Sequence, residues 1–350
     1  MKLIIQIPCL NEEKTLPLTL NDLPKSIPGV DEIEILVIND GSTDDTVQVA
    51  RENGVHHIVN MTNRKGLAAA FLAGLDASVK LGADIIVNTD GDNQYSGESV
   101  PDLIQPILNN EADMVIGDRQ IDDVAEFSTI KKKLQHLGSW VVRQVSGTDI
   151  PDTTSGFRAF NREAALRLNV ISRFTYTLET IIQAGRKNIA VTHVPIKTNK
   201  KLRESRLFKS IPSYIGRSAG TIFRIYAMYE PMRIFSFVGA LFVAAGLYRP
   251  VTFLYKQVVF DGGGHVQSLI LSSILIVVGF LFFFIGLAAD LIAGNRRLTE
   301  DTLYRVKKLE LGMLNFRVQN DVGLENINSD LKRTLRRKVN NLTETSEIAN

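Results

Sequence analysis

Apolar positions follow two different regimes along the chain. Up to about residue 200, short apolar runs alternate with stretches in which apolar residues recur every three or four positions. The runs Leu3–Ile7, Glu34–Asn39, Ile58–Asn60, Asp84–Asn88 and Asp113–Ile116 predict strands. Several have unbroken apolar cores, as expected of strands covered on both faces. Leu67, Phe71, Leu75 and Val79 recur every four residues and predict a helix with one apolar face. Ser42-Thr43-Asp44-Asp45 predicts a helix start, with Ser42 three residues before Asp45 approximating a capping box and Gly54 ending the helix. The alternation predicts an α/β domain over residues 1–200, a Rossmann-like, mostly parallel sheet flanked by helices.

The second regime is charge-free. Ser268 to Ala289 is 22 residues without a charge, enough to span a hydrocarbon layer of roughly 30 Å at about 1.5 Å per residue. Ile234 to Tyr248 is also free of charge, Arg249-Pro250 interrupts it, and Val251–Tyr255 resumes the apolar run. Two transmembrane helices are therefore expected, at about 234–255 and 268–290, within a hairpin spanning 234–292. Between Lys197 and Arg233 stand nine Lys/Arg and two acidic residues, and Arg296, Arg297, Arg305, Lys307 and Lys308 follow the second span. By the positive-inside rule both ends of the hairpin face the cytoplasm. Over 201–233 the apolar positions Phe208, Ile211, Ile215, Ile222, Phe223, Ile225, Tyr226 and Tyr229 lie among those cations. They predict basic amphipathic helices in the membrane interface, in contact with lipid head groups. The tail, 293–350, is expected in the cytoplasm. Its Leu303, Val306, Leu309 and Leu314 admit either a short helix that self-associates into a homo-oligomer or a frayed one.

Composition sharpens this division. The 350 residues carry 40 Lys+Arg against 38 Asp+Glu, a net charge of +2, which argues against a surface built for nucleic acid. With 45% apolar and 22% charged residues the chain is neither disordered nor fibrous. One cysteine, Cys9, excludes an internal disulfide framework. The first apolar run meets Pro8 too soon to serve as the core of a signal peptide and is expected to be a buried strand. The near-zero mean hydropathy of +0.04 is an average over a polar domain and an apolar hairpin.

Polar residues collect just past three predicted strands: Asn11-Glu12-Glu13, Asn39-Asp40-Gly41-Ser42 and Asp90-Gly91-Asp92-Asn93-Gln94. In open α/β sheets the carboxyl ends of the strands line the ligand crevice. Each cluster alone is compatible with turn chemistry; three at successive strand ends favour a nucleotide site. No GxGxxG follows the first strand and no GxxxxGK[ST] occurs anywhere, so neither a dinucleotide fold nor a P-loop is supported. Asp90 and Asp92, one residue apart on a turn, can converge on a hard divalent cation that bridges a diphosphate.

On these stretches, together with Ile7-Pro8-Cys9-Leu10, Asn63-Arg64-Lys65-Gly66 and Thr154-Ser155-Gly156-Phe157-Arg158, the chain resembles glycosyltransferase family 2. Within that family it is similar to the polyprenyl-phosphate glycosyltransferases related to dolichol-phosphate mannose synthase. The resemblance implies a GT-A catalytic domain and inverting, metal-dependent transfer of one sugar. The implied donor is a nucleotide-diphosphate sugar, a UDP-sugar or GDP-mannose. The implied acceptor is undecaprenyl or dolichyl phosphate at the cytoplasmic face of the cytoplasmic or an ER-type membrane. It puts the nucleoside at Pro8, Asn11, Glu12 and Asp40, and the donor near Lys65 and Asp90. Mg2+ or Mn2+ falls to Asp90, Asp92 and Gln94, a catalytic base to Asp152, phosphate recognition to Arg158, and acceptor phosphate to Arg203, Ser205 and Arg206. Two positions depart from the family pattern: Asn39 stands where many members have Asp, and Gly91 where Ala is commoner. A different lipid or glycan acceptor, or a non-catalytic nucleotide-sugar-binding scaffold, remains an alternative. A helix cap is the competing role for Asp152.

Overall fold

The computed structural model describes residues 1–120, 129–172, 176–200, 211–260 and 266–347. The chain forms β1 (Lys2–Cys9), α1 (Leu16–Asp22), β2 (Glu32–Asn39), α2 (Thr46–Glu52), β3 (His57–Asn60), α3 (Leu67–Lys80) and β4 (Ile85–Asn88). These are followed by α4 (Val100–Leu108), β5 (Met114–Asp118), α5 (Thr129–Ser146), β6 (Arg158–Asn161), α6 (Arg162–Arg167), α7 (Thr177–Arg186) and β7 (Val191–Pro195). Three helices complete it: α8 (Ile211–Tyr229), α9 (Pro231–Phe260) and α10 (Val266–Glu347).

The seven strands form one sheet in the order β3-β2-β1-β4-β6-β5-β7. Every neighbouring pair is parallel except those of β6, which runs against β4 and β5. Leu3, Ile4, Ile5 and Ile7 of β1 are wholly buried, as are Ile85, Ile86 and Val87 of β4, because helices cover both faces. Each such side chain contributes about 1.5–3 kcal/mol of burial. In α4, Val100, Leu103, Ile104 and Ile107 keep helical spacing and face the sheet.

Two features of this sheet position the site. The chain reverses its direction of travel across the sheet between β1 and β4, which opens a crevice at their carboxyl ends. The antiparallel β6 pairs Arg158 with Asn88, so the start of β6 arrives at the same edge where β4 ends. β6 and β7 are strands that the hydrophobic pattern does not predict. Both are short, and β6 opens on a buried arginine.

The chain divides into two compact units, Met1–Asp301 and Thr302–Asn350. The segments Pro231–Tyr255 and Leu269–Leu314 are long and apolar enough to cross a membrane. α9 continues through Arg249-Pro250, the point at which the apolar run is interrupted. Arg249 follows Pro231 by 18 residues, about 27 Å of helix, so it stands where a span begun at Pro231 reaches the far interface. Within the first unit α9 and α10 pack backbone to backbone. A Cβ on Gly239 would lie 2.8 Å from the Gly279 carbonyl oxygen, and one on Gly279 equally close to that of Gly239. Small residues permit this approach, which dispersion rewards in an apolar solvent. Two ion pairs tie the α/β part to the link between α8 and α9 and to α10, Arg186–Glu230 at 2.7 Å and Lys187–Glu300 at 3.0 Å. In the second unit, Leu303, Val306, Leu309, Met313 and Phe316 are exposed at spacings of three and four.

Candidate active site

The crevice is built from loops that hold one another. After β1, the Asn11 N–H donates to Ser42 Oγ at 2.9 Å and its side-chain oxygen accepts from the Thr43 N–H at 2.8 Å. Asn11 adopts a left-handed φ of 57° to do so. The Glu12 N–H donates to Thr46 Oγ1 at 2.8 Å, and its buried carboxylate accepts from Thr15 Oγ1 at 2.7 Å. Pro8 pairs with Ile38 inside the sheet. Ser42 therefore does not cap a helix: α2 starts at Thr46, where Asp44 Oδ1 accepts the Thr46 N–H at 3.2 Å. Ser42 is engaged instead in joining the first two strand-end loops.

Asp40 follows β2 and turns its carboxylate to the backbone that opens α3. It accepts from the Lys65 N–H at 2.6 Å and the Gly66 N–H at 2.9 Å. Lys65 itself is exposed. Asp40 thus shapes the Gly-rich turn, and only 4% of its surface remains accessible.

Past β4, the Gln94 N–H donates to Asp92 Oδ1 at 3.2 Å and its carbonyl accepts from the Asn199 N–H at 2.9 Å. Asp90 and Asp92 are half-buried. Beneath this turn lies Cys9: a Cβ on Gly91 would stand 3.1 Å from Cys9 Sγ. This contact accounts for glycine at a position where alanine would crowd the thiol. Gly156, delivered by the chain entering β6, closes the other side. A Cβ there would sit 2.9 Å from Tyr176 Oη and 3.2 Å from Asp90 Oδ2.

A buried hydrogen-bond chain fixes Gly156. Gln6 Nε2 donates to Asn88 Oδ1 at 2.8 Å, and Asn88 Nδ2 donates to the Gly156 carbonyl at 2.8 Å and Tyr176 Oη at 2.9 Å. The Gly156 N–H donates to Tyr95 Oη at 2.9 Å. Burial, with Asp90 nearby, pushes the Tyr95 phenol up to about 12 despite the opposing Arg119 charge, so it stays neutral at physiological pH. Tyr176 stacks on Phe71 with centroids 3.9 Å apart.

Asp152 is fully buried and ion-paired with Arg119, whose Nε and Nη2 donate to its two oxygens at 2.6 and 2.9 Å. Burial alone pushes the Asp152 carboxyl up. The Arg119 charge and the hydrogen bonds from Arg119 and Thr154 outweigh it and hold the carboxyl below the usual range. Asp152 is not a helix cap; Asn161 caps α6, its side chain accepting from the Ala164 N–H at 2.8 Å. Arg158 departs from the role expected of it. It is fully buried and donates from Nε to Ser155 O (2.8 Å), from Nη1 to Thr177 O (2.8 Å) and from Nη2 to Thr153 O (3.1 Å). Burial pushes its guanidinium down to about 10, still charged at neutral pH. It braces the backbone around β6 and α7 and has no exposed surface. Arg203, Ser205 and Arg206 lie outside the described residues.

Arg119, Tyr95, Asn88 and Tyr176 complete the site without having been singled out by sequence. Arg119 follows Asp118 at the end of β5, the same strand-end position as the other clusters, so that rule would have found it. For a metal, Asp90, Asp92 and the Gln94 amide offer hard oxygen donors suited to Mg2+ or Mn2+. Among the described residues no three His, Cys, Asp or Glu side chains converge. A cation held here would need further oxygen donors from a bound ligand or water, as ions that bind with a nucleotide commonly do.

The mostly parallel sheet with flanking helices and paired carboxylates at its switch point has a GT-A-like fold. The chain belongs to glycosyl transferase family 2, which residues 4–168 match, and is a glycosyltransferase. It is 28% identical to the undecaprenyl-phosphate mannosyltransferase of Micrococcus luteus over 67% of this chain and 98% of that one. It is 31% identical to the UDP-N-acetylglucosamine–dolichyl-phosphate N-acetylglucosaminyltransferase of Methanococcus voltae over 55% of this chain and 83% of that one. The fold matches glucosyl-3-phosphoglycerate synthase from Mycobacterium tuberculosis, crystallised with Mn2+, UDP-glucose and phosphoglyceric acid. That match has a TM-score of 0.51 and 19% identity, covering 65% of this chain and 78% of that one.

Proposed function

We propose that the protein transfers a single sugar from a nucleotide-diphosphate sugar, a UDP-sugar ahead of GDP-mannose, to a polyprenyl phosphate at the cytoplasmic face of the membrane. The observation that carries this reading is the meeting of the β1, β2 and β4 loops and the start of β6 around Asp90 and Asp92, in a chain that also holds two apolar helices long enough to cross a bilayer. The relatives named for undecaprenyl and dolichyl phosphate support the acceptor class.

In this reading Pro8, Asn11, Glu12 and Asp40 shape the nucleoside side, and Lys65 stands at the turn beside it. Asp90, Asp92 and Gln94 would hold a divalent cation, which would supply charge neutralisation to the leaving diphosphate. The acceptor is a phosphomonoester with a second pKa of about 6, largely dianionic at neutral pH and already a nucleophile. Its oxygen attacks the anomeric carbon, the bond from that carbon to the diphosphate oxygen breaks, and the configuration inverts. No proton has to be removed, which suits an Asp152 held ionised against Arg119. Asp152 acts as the group that fixes this arginine at the crevice edge near Asp90. Arg203, Ser205 and Arg206 are the candidates for the acceptor phosphate.

Purified full-length protein incubated with labelled nucleotide sugars and undecaprenyl phosphate tests the reading. A lipid-linked sugar whose formation a chelator abolishes is the expected product. No product from any donor overturns the proposal.

A further inference from the structure

Helix α5 presents an apolar face that the fold leaves uncovered. On its inner side Ser139 Oγ lies 3.1 Å from Thr153 Oγ1, and Val142 and Ser146 are buried. On the opposite side Leu137 is 58% exposed and Trp140 52%. A large apolar residue alone on a surface asks for no explanation. Here it comes with charge of one sign: Thr129–Ser146 contains Lys131, Lys132, Lys133 and Arg143 and not one carboxylate. Tryptophan and leucine on a helix whose only charges are positive suit the boundary between anionic head groups and acyl chains.

The fold also holds this helix beside the start of α9. Arg186 of α7 donates from Nη2 to the Val145 carbonyl at 2.8 Å and from Nη1 to Glu230 at 2.7 Å. Val145 lies in the last turn of α5, and Glu230 immediately precedes Pro231, where the first segment long and apolar enough to cross a membrane begins. One guanidinium therefore joins the end of α5 to the point of membrane entry. Trp140 stands five residues before Val145, about 7.5 Å of helix. That distance matches the head-group layer on one side of a bilayer, about 5–7.5 Å. Whatever the tilt of α5, Trp140 stays within about one such layer of the entry level.

We propose that α5 is a membrane-contact helix: Leu137 and Trp140 enter the head-group boundary of the bilayer that α9 crosses, with the three lysines and Arg143 drawn to anionic lipid. Gln135 Nε2 lies 3.5 Å from Thr154 Oγ1 and Ser139 meets Thr153, so α5 flanks the loop that carries Asp152. Its contact with lipid brings the bilayer surface to that edge of the crevice. The inference rests on α9 as a membrane span, and not on which sugar or lipid reacts.

Trp140 is the chain's single tryptophan, so its fluorescence reads this face directly. Full-length protein is reconstituted into vesicles of phosphatidylcholine and phosphatidylglycerol and recovered by flotation. The phosphatidylcholine carries bromine near the head-group end of its acyl chains, bromine near the chain ends, or none. Shallow bromine is expected to quench Trp140 more than deep bromine, and acrylamide in the water to quench it weakly. Leu137→Glu, a change at an exposed position, weakens the bromine quenching, strengthens that by acrylamide and shifts emission to longer wavelength. Emission indifferent to bromine and open to acrylamide overturns the proposal. So does emission shielded from both, which marks a protein partner on this face, and so does Leu137→Glu quenched like wild type. Protein that does not float overturns the membrane span and this inference together. Floated protein without bromine quenching overturns this inference alone.

Discussion

Replacing Arg119 with Met isolates the buried pair at the crevice edge. Asp152 has no exposed surface, and Arg119 embraces it through two bonds of 2.6 and 2.9 Å. Removing the arginine leaves a carboxylate enclosed without its counter-charge, a change that costs about 3–5 kcal/mol. For an α/β domain of about 200 residues that lowers the unfolding midpoint by roughly 6–20 °C. The sign of the pH dependence follows from the depressed Asp152 carboxyl. The pair's contribution is complete above the unfolded carboxylate pKa of about 3.9 and is lost as pH falls through the lower folded value. In Arg119→Met burial acts nearly alone and raises the carboxyl, so acidification neutralises it and the gap from wild type narrows between pH 7.5 and 5. Circular dichroism of both proteins in detergent at the two pH values measures the gap. A double variant, Arg119→Met with Asp152→Leu, recovers most of the stability but not the activity, because both members of the buried pair are then apolar. A single variant as stable as wild type, or a gap that widens toward acid, refutes the reasoning.

Asp92→Asn keeps the fold and reduces sugar transfer at least a hundredfold, measured as labelled lipid product beside an unchanged circular dichroism spectrum. Gly156→Ala forces a methyl to within 2.9 Å of Tyr176 Oη and 3.2 Å of Asp90 Oδ2; it raises the donor KM more than it lowers stability, and equal effects on both would count against the geometry. Gly279→Val drives α9 and α10 apart by obstructing the Gly239 carbonyl and Val243, and lowers the detergent unfolding midpoint while leaving donor binding by the α/β domain intact.

What sequence could foretell divides along physical lines. The cores of β1, β2 and β4 are readable because parallel strands covered on both faces must be apolar throughout. β6 breaks that rule: it opens on Arg158, whose burial makes sense only once the Thr153, Ser155 and Thr177 carbonyls gather around it. The family resemblance assigns phosphate recognition to the same arginine, two residues after Gly156. Asp90 and Asp92 are local and legible. The Arg119–Asp152 pair joins residues 33 apart, and nothing in either neighbourhood announces the other. Ser42 shows the limit of short patterns. Its spacing to Asp45 fits a cap, yet the Asn11 backbone competes for the hydroxyl and wins. Pro250 illustrates the converse, since α9, a helix long and apolar enough to cross a membrane, continues through it.

The position of Cys9 has a practical consequence. It is the chain's single cysteine, 2% exposed, and it lies directly below Gly91 in the turn that carries Asp90 and Asp92. A thiol reagent reaches the sulfur only when that turn lifts, so the labelling rate reports local opening of the turn rather than unfolding of the whole domain. The protein thereby contains its own chemical clock for the mobility of its carboxylate turn. A donor that pins the turn slows the clock, and a variant that loosens it runs the clock faster, with no engineered probe required.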